Sequence, residues 1–357
     1  MTDRRAFLQM GGGGLAAACL GFAGMPAFAA AAEPGGIDPM SLVDPELLDA
    51  ARNIVANPSH FPPLSDATLP EIRAKIAALT LPALESVPWK QMAVPARKAN
   101  PDVSVYAINA QPGAFRPGIV YMHGGGFVFG DAKSTIRELQ LLSAALDCCV
   151  VSVDYRLAPE TRYEGSIEDN YAGLRWLSAH ASELGVDPAR IAVMGESAGG
   201  GHAALLAITA RDRGEIPVAF QMLIYPMLDD RTGISHKVPP YFGTIGWRTD
   251  ANYYGWRSFL GRTPGGRSAP AGAVPSRVAD LRGLPPTFIG VGSIDLFVDE
   301  DVAYSARLID AGVPCELHVV PGAYHGFDHN PVASASKQFN AVKLNALRRA
   351  LRTPLPV

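Results

Sequence analysis

Strand-length apolar runs alternate with helix-like segments along most of the chain after Trp89. Runs with the length and residue types of strands lie at 103–108, 118–122, 149–153, 191–194, 220–225, 287–291 and 316–320. Helix-like segments lie between them at 137–146, 167–180, 200–211 and 302–311, and a last one ends near Leu351. Apolar strands separated by helices are typical of a parallel sheet that is covered on both faces. The pattern therefore predicts an α/β fold built on a mostly parallel sheet.

Two regions fall outside this alternation. Residues 38–85 contain two short segments with apolar residues at helical spacing, at 45–55 and 69–79, joined by proline-rich links. Residues from about 229 to 278 are rich in Gly, Tyr and Trp and interrupt the strand–helix rhythm. We predict that the first region supplies N-terminal cap helices, and that the second is a cap inserted into one large domain at 86–357.

The first 32 residues differ in character from the rest of the chain. Arg4 and Arg5 precede an apolar run rich in Gly and Ala, and Ala27-Phe28-Ala29 offers the small residues that a signal peptidase reads. Paired arginines ahead of such a run resemble a twin-arginine export signal. The sequence therefore predicts an export peptide at 1–32 and a periplasmic protein. A membrane anchor and lipid attachment at Cys19 are the alternatives.

The charge and the cysteines of the chain do not favour nucleic acid, a membrane surface or a metal ion as a partner. The 357 residues include 31 basic and 34 acidic side chains, a formal net charge of −3, without a basic cluster that would suit nucleic acid or a membrane surface. Once the export peptide is removed, we expect no stable membrane insertion. Cys148, Cys149 and Cys315 lack metal-binding spacing and are interpreted as buried thiols. This balance suits an enzyme acting on small neutral molecules, and it does not indicate an oligomeric state.

A serine lies within a motif bounded by glycines, where a predicted strand meets a predicted helix. The motif Gly195-Glu196-Ser197-Ala198-Gly199 follows the run at 191–194 and precedes the helix-like segment at 200–211. A sharp strand-to-helix turn exposes a nucleophilic side chain, and small neighbours keep its strained backbone from clashing. The helix N-terminus there also favours a developing negative charge. We therefore predict that Ser197 is a nucleophile.

Three consecutive glycines follow the run at 118–122, within His123-Gly124-Gly125-Gly126-Phe127. Acyl transfer builds an oxyanion, and backbone N–H groups that no side chain obstructs can bind it. We predict that Gly125 and Gly126 donate to this oxyanion and that Ala198 is the third donor. A phosphate-binding loop is the alternative, but its Gly-Lys-Ser/Thr ending and the dinucleotide-binding spacing are both missing.

His325 and Asp295 are the predicted base and its orienting acid. His325 follows the last predicted strand, and Asp295 lies closest to the end of the strand at 287–291. Four other histidines are considered as the base, and they lie in helices, in a strand or in the N-terminal region: His60, His180, His202 and His318. The neighbouring acids are typical of the first turn of a helix: Asp299, Glu300 and Asp301. The order serine, aspartate, histidine is the one that α/β-hydrolases use.

Five ordered motifs resemble the bacterial hormone-sensitive-lipase-like (family IV) esterases of the α/β-hydrolase superfamily. They are the glycine motif at 123–127, Asp-Tyr-Arg-Leu-Ala-Pro-Glu at 154–160, the serine motif at 195–199, Asp-x-x-x-Asp-Glu at 295–300 and Tyr-His-Gly-Phe at 324–327. The resemblance implies an eight-stranded hydrolase sheet with a helical cap, a catalytic domain at 86–357 and carboxylesterase activity without a cofactor. It also implies that Asp295 is the catalytic acid and that residues 154–160 hold the loops around the oxyanion site.

The expected reaction is hydrolysis of a small carboxylic ester through an acyl-enzyme intermediate on Ser197. A lactonase, an amidase or a carbohydrate deacetylase would use the same triad, and a non-catalytic binding protein could share the fold. Short acyl chains are favoured because no large lipid-binding surface is evident. Glu196, where Asp or Thr is commoner, and the unusual segment 161–165 are the departures from the family pattern.

Overall fold

A computed structural model describes residues 37–57, 62–95 and 100–352 of the chain. The predicted export peptide at 1–32, its Cys19 and also His60 lie outside these residues. Among the helices of the described residues, none is long and apolar enough to cross a membrane.

Eight strands form one sheet in the order β1-β2-β4-β3-β5-β6-β7-β8. Their bounds are β1 Trp89–Val94, β2 Val103–Ile108, β3 Arg116–Met122, β4 Cys149–Asp154, β5 Val186–Glu196, β6 Phe220–Ile224, β7 Thr287–Gly292 and β8 Cys315–Val320. The pairs β1–β2 and β2–β4 are antiparallel, and the other neighbouring pairs are parallel. The prediction of a mostly parallel eight-stranded sheet is confirmed.

Helices occupy most of the connections between the strands. Their bounds are α1 Leu48–Ala56, α2 Leu69–Ala78, α3 Ile136–Leu146, α4 Tyr163–Ala179, α5 Ala181–Leu184, α6 Ala198–Arg213, α7 Thr249–Leu260, α8 Val298–Asp310 and α9 Ser334–Arg352. Long crossover connections of this kind are what parallel strands require.

The two faces of the sheet bury separate apolar clusters. Ile119 and Val120 are neighbours in β3, yet Ile119 packs with α3 and α9 whereas Val120 packs with α4, α6 and α8. Cys148 and Cys149 divide between the same two clusters, and both are buried free thiols. Successive side chains of a strand point to opposite faces, so continuous apolar runs such as these need cover on both sides.

Strand β1, at one edge of the sheet, is absent from the sequence prediction. Its residues Trp89–Val94 are mostly exposed and therefore form no continuous apolar run. Strand β5 begins at Val186, before the predicted start at 191, because residues ahead of its apolar half are partly exposed. Helix ends differ from the prediction by a few residues, as α4 does in beginning at Tyr163 rather than at 167.

The two regions predicted as cap segments touch each other. Helix α2 belongs to the first region, and α7 to the second. Leu69 at the start of α2 belongs to the same buried cluster as Trp247 and Tyr254 of the insertion. The Tyr254 hydroxyl also donates a hydrogen bond to a carboxylate oxygen of Asp66, at 2.9 Å.

Candidate active site

Ser197 lies at the sharp turn between β5 and α6. Its backbone has φ 56° and ψ −122°, a conformation that costs free energy and must be held by its surroundings. Its N–H donates to the carbonyl of Ile224 at 2.9 Å, and its carbonyl accepts from the N–H of Met227 at 3.0 Å. A Cβ atom at Gly195 would lie 2.1 Å from the carbonyl oxygen of Gly199, so both ends of the turn approach too closely for a side chain.

The structure brings together the three residues predicted as nucleophile, base and acid. The Nε2 atom of His325 lies 3.0 Å from the Oγ atom of Ser197, and its Nδ1 atom lies 2.8 Å from Oδ2 of Asp295. Asp295 is fully buried, and its Oδ1 atom accepts the N–H of Phe297 at 3.0 Å. Because a carboxylate only accepts, the His325 proton sits on Nδ1 and Nε2 is left to accept the Ser197 proton.

Aromatic rings surround the His325 imidazole. The ring of Tyr225 lies 4.6 Å from it between centroids, and the edge-on ring of Phe297 lies at 5.3 Å. Trp247 of the inserted segment approaches on a further side, at 6.5 Å. These contacts restrict the rotation of the imidazole, which the pairing with Asp295 alone would leave free to tilt.

The glycine loop lies directly beside Ser197. A Cβ atom at Gly124 would lie 3.5 Å from the Cβ atom of Ser197. Gly125 has φ +120° and Gly126 has φ +57°, conformations that L side chains rarely adopt. Within the described residues, no protein acceptor is hydrogen-bonded to the N–H of Gly125, Gly126 or Ala198. Donors of this kind can bind a negatively charged oxygen.

The segment 154–160 braces this loop from behind. The Tyr155 hydroxyl donates to the carbonyl of His123 at 2.7 Å, and the two rings stack 4.3 Å apart. The Ala158 N–H donates to the carbonyl of Phe127 at 2.9 Å. These contacts fit the supporting role that the family resemblance implies for the segment.

Arg73 of α2 also holds the glycine loop, and sequence reasoning missed it. Its Nε donates to the carbonyl of Val128 at 2.8 Å, and its Nη2 donates to the carbonyl of Ala158 at 2.9 Å. Its guanidinium also pairs with Glu160 at 2.7 Å. The available signal was Glu160, an acid within a recognised motif that needs a basic partner from elsewhere in the chain.

Trp247 closes the space above the glycine loop. A Cβ atom at Gly126 would lie 2.2 Å from Cη2 of Trp247, so the indole packs directly on that glycine. The indole NH donates to Asn252 at 3.4 Å, and the residue is only 9% exposed. The sequence indicated Trp247 only as one of several aromatic residues in the insertion, because its position beside the loop depends on the fold.

The acids next to Asp295 do not reach His325. Asp299 is partly exposed, and its Oδ2 atom lies 3.9 Å from Nε2 of His236. Glu300 is buried and accepts the N–H of Leu228 at 2.6 Å. Burial raises the pKa of Glu300 and of Asp301 well above the ordinary range of carboxyl groups. Asp295 is therefore the carboxylate of this motif that pairs with the imidazole.

The other histidines considered as bases make contacts elsewhere. His202 packs edge-on against Phe127 at 5.1 Å, and His318 stacks near Phe339 at 5.9 Å. His180 bonds through Nδ1 to the carbonyl of Trp176 at 2.9 Å.

Comparison with known proteins agrees with this geometry. Residues 119–329 match the model of a family described as alpha/beta hydrolase fold. Esterase LipI of Mycobacterium tuberculosis is 39% identical over 212 residues, which cover 59% of this chain and 65% of LipI. Carboxylesterase NlhH of the same organism is 38% identical over 241 residues, which cover 66% of this chain and 74% of NlhH. The alignment thus spans just under two thirds of the length of LipI.

A solved structure titled Bacterial Heroin Esterase has a similar fold. It is 36% identical, with a TM-score of 0.79, and the match covers 88% of this chain and 100% of that one. The chain therefore belongs to the α/β-hydrolase-fold family and, within it, to the esterases of the hormone-sensitive-lipase-like type.

Proposed function

We propose that the chain is a serine carboxylesterase that hydrolyses short-chain esters through an acyl-enzyme on Ser197. The observation that carries this proposal is the continuous chain of contacts from Ser197 Oγ to His325 Nε2 at 3.0 Å, and from His325 Nδ1 to Asp295 Oδ2 at 2.8 Å. The relatives named esterase and carboxylesterase support the ester as substrate class.

In the first half of the reaction, Ser197 Oγ forms a bond to the ester carbonyl carbon while its proton passes to Nε2 of His325. The carbonyl electron pair moves onto the oxygen, which the N–H groups of Gly125, Gly126 and Ala198 bind as an oxyanion. The intermediate then collapses, and its C–O bond to the alkoxy group breaks. The imidazolium gives its proton to the alkoxy oxygen, which leaves as the alcohol.

In the second half, water replaces the alcohol. His325 Nε2 takes a proton from the water as its oxygen bonds to the acyl carbon, and the same three N–H groups hold the second oxyanion. Collapse breaks the bond between the acyl carbon and Ser197 Oγ, and the imidazolium returns a proton to Oγ. The carboxylic acid leaves. Asp295 accepts from Nδ1 throughout and keeps the imidazole in the tautomer that both halves need.

The enclosure of Ser197 supports a small substrate. Ser197 is 7% exposed, and the His325 side chain is 12% exposed. Trp247 closes the space above the glycine loop, between Gly126 and His325. A long acyl chain would need room that these side chains occupy. We further propose that the segments 38–85 and 229–278 act together as the cap over this site.

The experiment is a series of p-nitrophenyl esters from acetate to laurate, assayed with the purified protein. We expect kcat/KM to be highest for acetate to butyrate and to fall for longer chains. A maximum at octanoate or beyond would overturn the short-chain assignment while leaving the esterase assignment in place.

Lactones, anilides and acetylated sugars test the alternatives on the same triad. Esters should be hydrolysed faster than a matched anilide, because an amide nitrogen is a poorer leaving group than an alkoxide and needs more assistance from His325. A higher kcat/KM for a lactone or an acetylated sugar than for every simple ester would assign the enzyme to that class.

We also propose that the protein is exported to the periplasm by the twin-arginine route. Arg4 and Arg5 before the apolar run of residues 1–32 support this proposal. Replacing both arginines by lysine should retain the protein in the cytoplasm of a host with this pathway. Unchanged export would contradict the proposal, and incorporation of a labelled fatty acid that depends on Cys19 would establish lipid attachment instead.

A further inference from the structure

Four titratable side chains, three of them buried and one partly buried, form a cluster next to the turn that carries Ser197. They are Glu196, Asp328, His329 and Lys343, with side-chain exposures of 8, 2, 17 and 10%. Lys343 Nζ lies 2.5 Å from Asp328 Oδ2 and 3.8 Å from Glu196 Oε1. His329 Nε2 lies 3.7 Å from Glu196 Oε2. The acyl-transfer mechanism uses none of the four directly.

The cluster contacts the triad on two sides. Glu196 is the residue before Ser197, at the end of β5. On the other side, the Tyr225 hydroxyl donates to Asp328 Oδ1 at 2.8 Å, and the Tyr225 ring lies 4.6 Å from the His325 imidazole. A continuous path of contacts therefore runs from Lys343 on the C-terminal helix, through Asp328 and Tyr225, to His325.

Burial makes the charges of this cluster interdependent. Burial raises the pKa of Asp328, but Lys343 and His329 outweigh it and bring that pKa to about 2, so Asp328 is ionised. Burial raises the pKa of Glu196 to about 7, with a contribution from Glu138 of α3, against the opposing effects of Lys343 and His329. Burial is the main cause that raises the pKa of Tyr121 in β3 and of Tyr225 directly after β6, and the charge of Glu196 contributes to both shifts.

His329 is paired with Glu196, and each affects the pKa of the other. Burial lowers its pKa, but the charges of Asp328 and Glu196 outweigh burial and leave the pKa raised. Lys343 is likewise held in its charged form against burial, mainly by Asp328. Charged groups are seldom fully buried unless they are paired, and buried groups that titrate near neutrality concentrate at functional sites.

We propose that Lys343, Asp328 and Tyr225 position the His325 imidazole, and that the ionised Glu196 carboxylate favours the imidazolium formed when Ser197 attacks. The proposal rests on the proposed function, because it concerns the same triad. Lys343 fixes Asp328, Asp328 fixes the Tyr225 hydroxyl, and the Tyr225 ring fixes the plane of the imidazole. Glu196 adds a negative charge in a poorly solvated region, where charge interactions are strong.

The first test isolates the charge of Glu196. Glu196→Gln keeps the shape of the side chain and removes its ionisation. Without the carboxylate the imidazolium is favoured less, so the acid limb of the kcat/KM profile should move to lower pH by about half a unit. We expect kcat at pH 8 to fall several-fold and KM to stay within twofold. An acid limb and a kcat that both match the wild type would overturn the role of Glu196.

Asp187→Asn is the matched control for Glu196→Gln. Asp187 is a buried carboxylate on the same strand, ten residues before Ser197, and it pairs with Arg190 at 2.7 Å. Its replacement should lower the melting temperature but leave the pH profile unchanged. An equal shift of the acid limb in this control would mean that loss of any buried charge causes it, and it would contradict the proposal.

The second test is a double-mutant cycle between Tyr225 and Asp328. Tyr225→Phe keeps the ring and removes the hydroxyl, and Asp328→Asn removes the charged acceptor. Each substitution should lower kcat about tenfold with little change in KM. The double variant should have a kcat no lower than that of the less active single variant, because both substitutions interrupt the same path of contacts. Multiplicative losses, or a Tyr225→Phe variant with wild-type kcat, would overturn the positioning role.

Each rate is divided by the concentration of active sites, so that a variant that folds poorly is not mistaken for one with a less reactive serine. Titration with a fluorophosphonate counts the reactive Ser197 in each preparation, and its labelling rate reports activation by His325 without any ester. Slower labelling in Glu196→Gln and Tyr225→Phe supports the inference even if the natural substrate is not an ester. A wild-type protein that hydrolyses no ester contradicts the proposed function alone. Wild-type labelling rates in both variants contradict the inference alone.

Discussion

The indole of Trp247 occupies the space that any side chain on Gly126 would need. A Cβ atom there would lie 2.2 Å from Cη2 and 2.6 Å from Cζ2 of the indole. The inserted segment and the glycine loop are therefore fitted to each other at a residue whose N–H is a proposed oxyanion donor. Substitution of Gly126 and substitution of Trp247 should therefore have different effects on catalysis.

Gly126→Ala should inactivate the enzyme by disturbing the oxyanion site. The methyl group would displace Trp247, and φ +57° is unfavourable for alanine. Loss of one oxyanion donor costs about 3 kcal/mol of transition-state stabilisation, so kcat should fall by roughly 10²- to 10³-fold. Gly266→Ala is the control, because its nearest neighbour, the carbonyl of Ser268, lies 3.7 Å from the added Cβ. Equal activity of the two variants would contradict this account.

Trp247→Leu should widen the range of esters accepted. The smaller side chain leaves room between Gly126 and His325, so kcat/KM for p-nitrophenyl octanoate should rise about tenfold relative to acetate. Tyr253→Ala, at a 38% exposed position of the same insertion, should leave that ratio unchanged. A uniform loss for all chain lengths in Trp247→Leu would show that the indole supports the loop without limiting substrate size.

Asp295→Asn should leave the fold intact but remove most of the activity. An amide at this position can donate to Nδ1 of His325, which places the imidazole proton on Nε2 and blocks acceptance of the Ser197 proton. Replacing the corresponding acid in a serine protease lowers kcat by roughly 10⁴-fold, and we expect a similar loss here. Asp299→Asn is the control and should stay within twofold of wild type. If Asp299→Asn lost most of the activity and Asp295→Asn stayed within twofold of wild type, the catalytic acid would be Asp299 instead.

The buried position of Glu196 should make stability depend on pH. Its pKa is raised in the folded protein from 4.5 to about 7, so the stabilisation from its protonated form is complete below pH 4.5 and is lost as pH rises to about 7. Over that window, the wild type should lose up to about 1.4 kcal/mol per pH unit relative to Glu196→Gln. Urea unfolding of both proteins at pH 5 and pH 8 measures the difference. An identical gap at both pH values would contradict the assigned shift.

The parallel sheet and the three triad residues could be predicted because each leaves a pattern in consecutive residues. The continuous apolar runs of β3 to β7 had to be buried on both faces, which indicated a parallel sheet. Ser197 directly follows β5, Asp295 comes shortly after β7, and His325 comes shortly after β8. The carboxyl ends of parallel strands meet at one edge of a sheet, so these three residues are expected to lie together. The exposed edge strand β1 lacked this signal and was missed.

Contacts between segments that are distant in the sequence could not be predicted, because they produce no pattern in consecutive residues. Arg73 contacts the end of the glycine loop from helix α2, and Lys343 contacts Glu196 from the last helix. Each looks in the sequence like an ordinary basic residue of an amphipathic helix. Trp247 is one aromatic residue among several in its segment. The positions of all three follow from the packing of whole elements against each other, which the motifs do not specify.

The most direct test of the central claim compares the wild type with Ser197→Ala on p-nitrophenyl acetate and with a fluorophosphonate probe. We predict that the wild type turns over the ester and is labelled at Ser197. The variant should remain folded, take up no label and lose activity on the order of 10⁶-fold. A folded Ser197→Ala variant that keeps more than about 1% of wild-type turnover would contradict the assignment of Ser197 as the nucleophile.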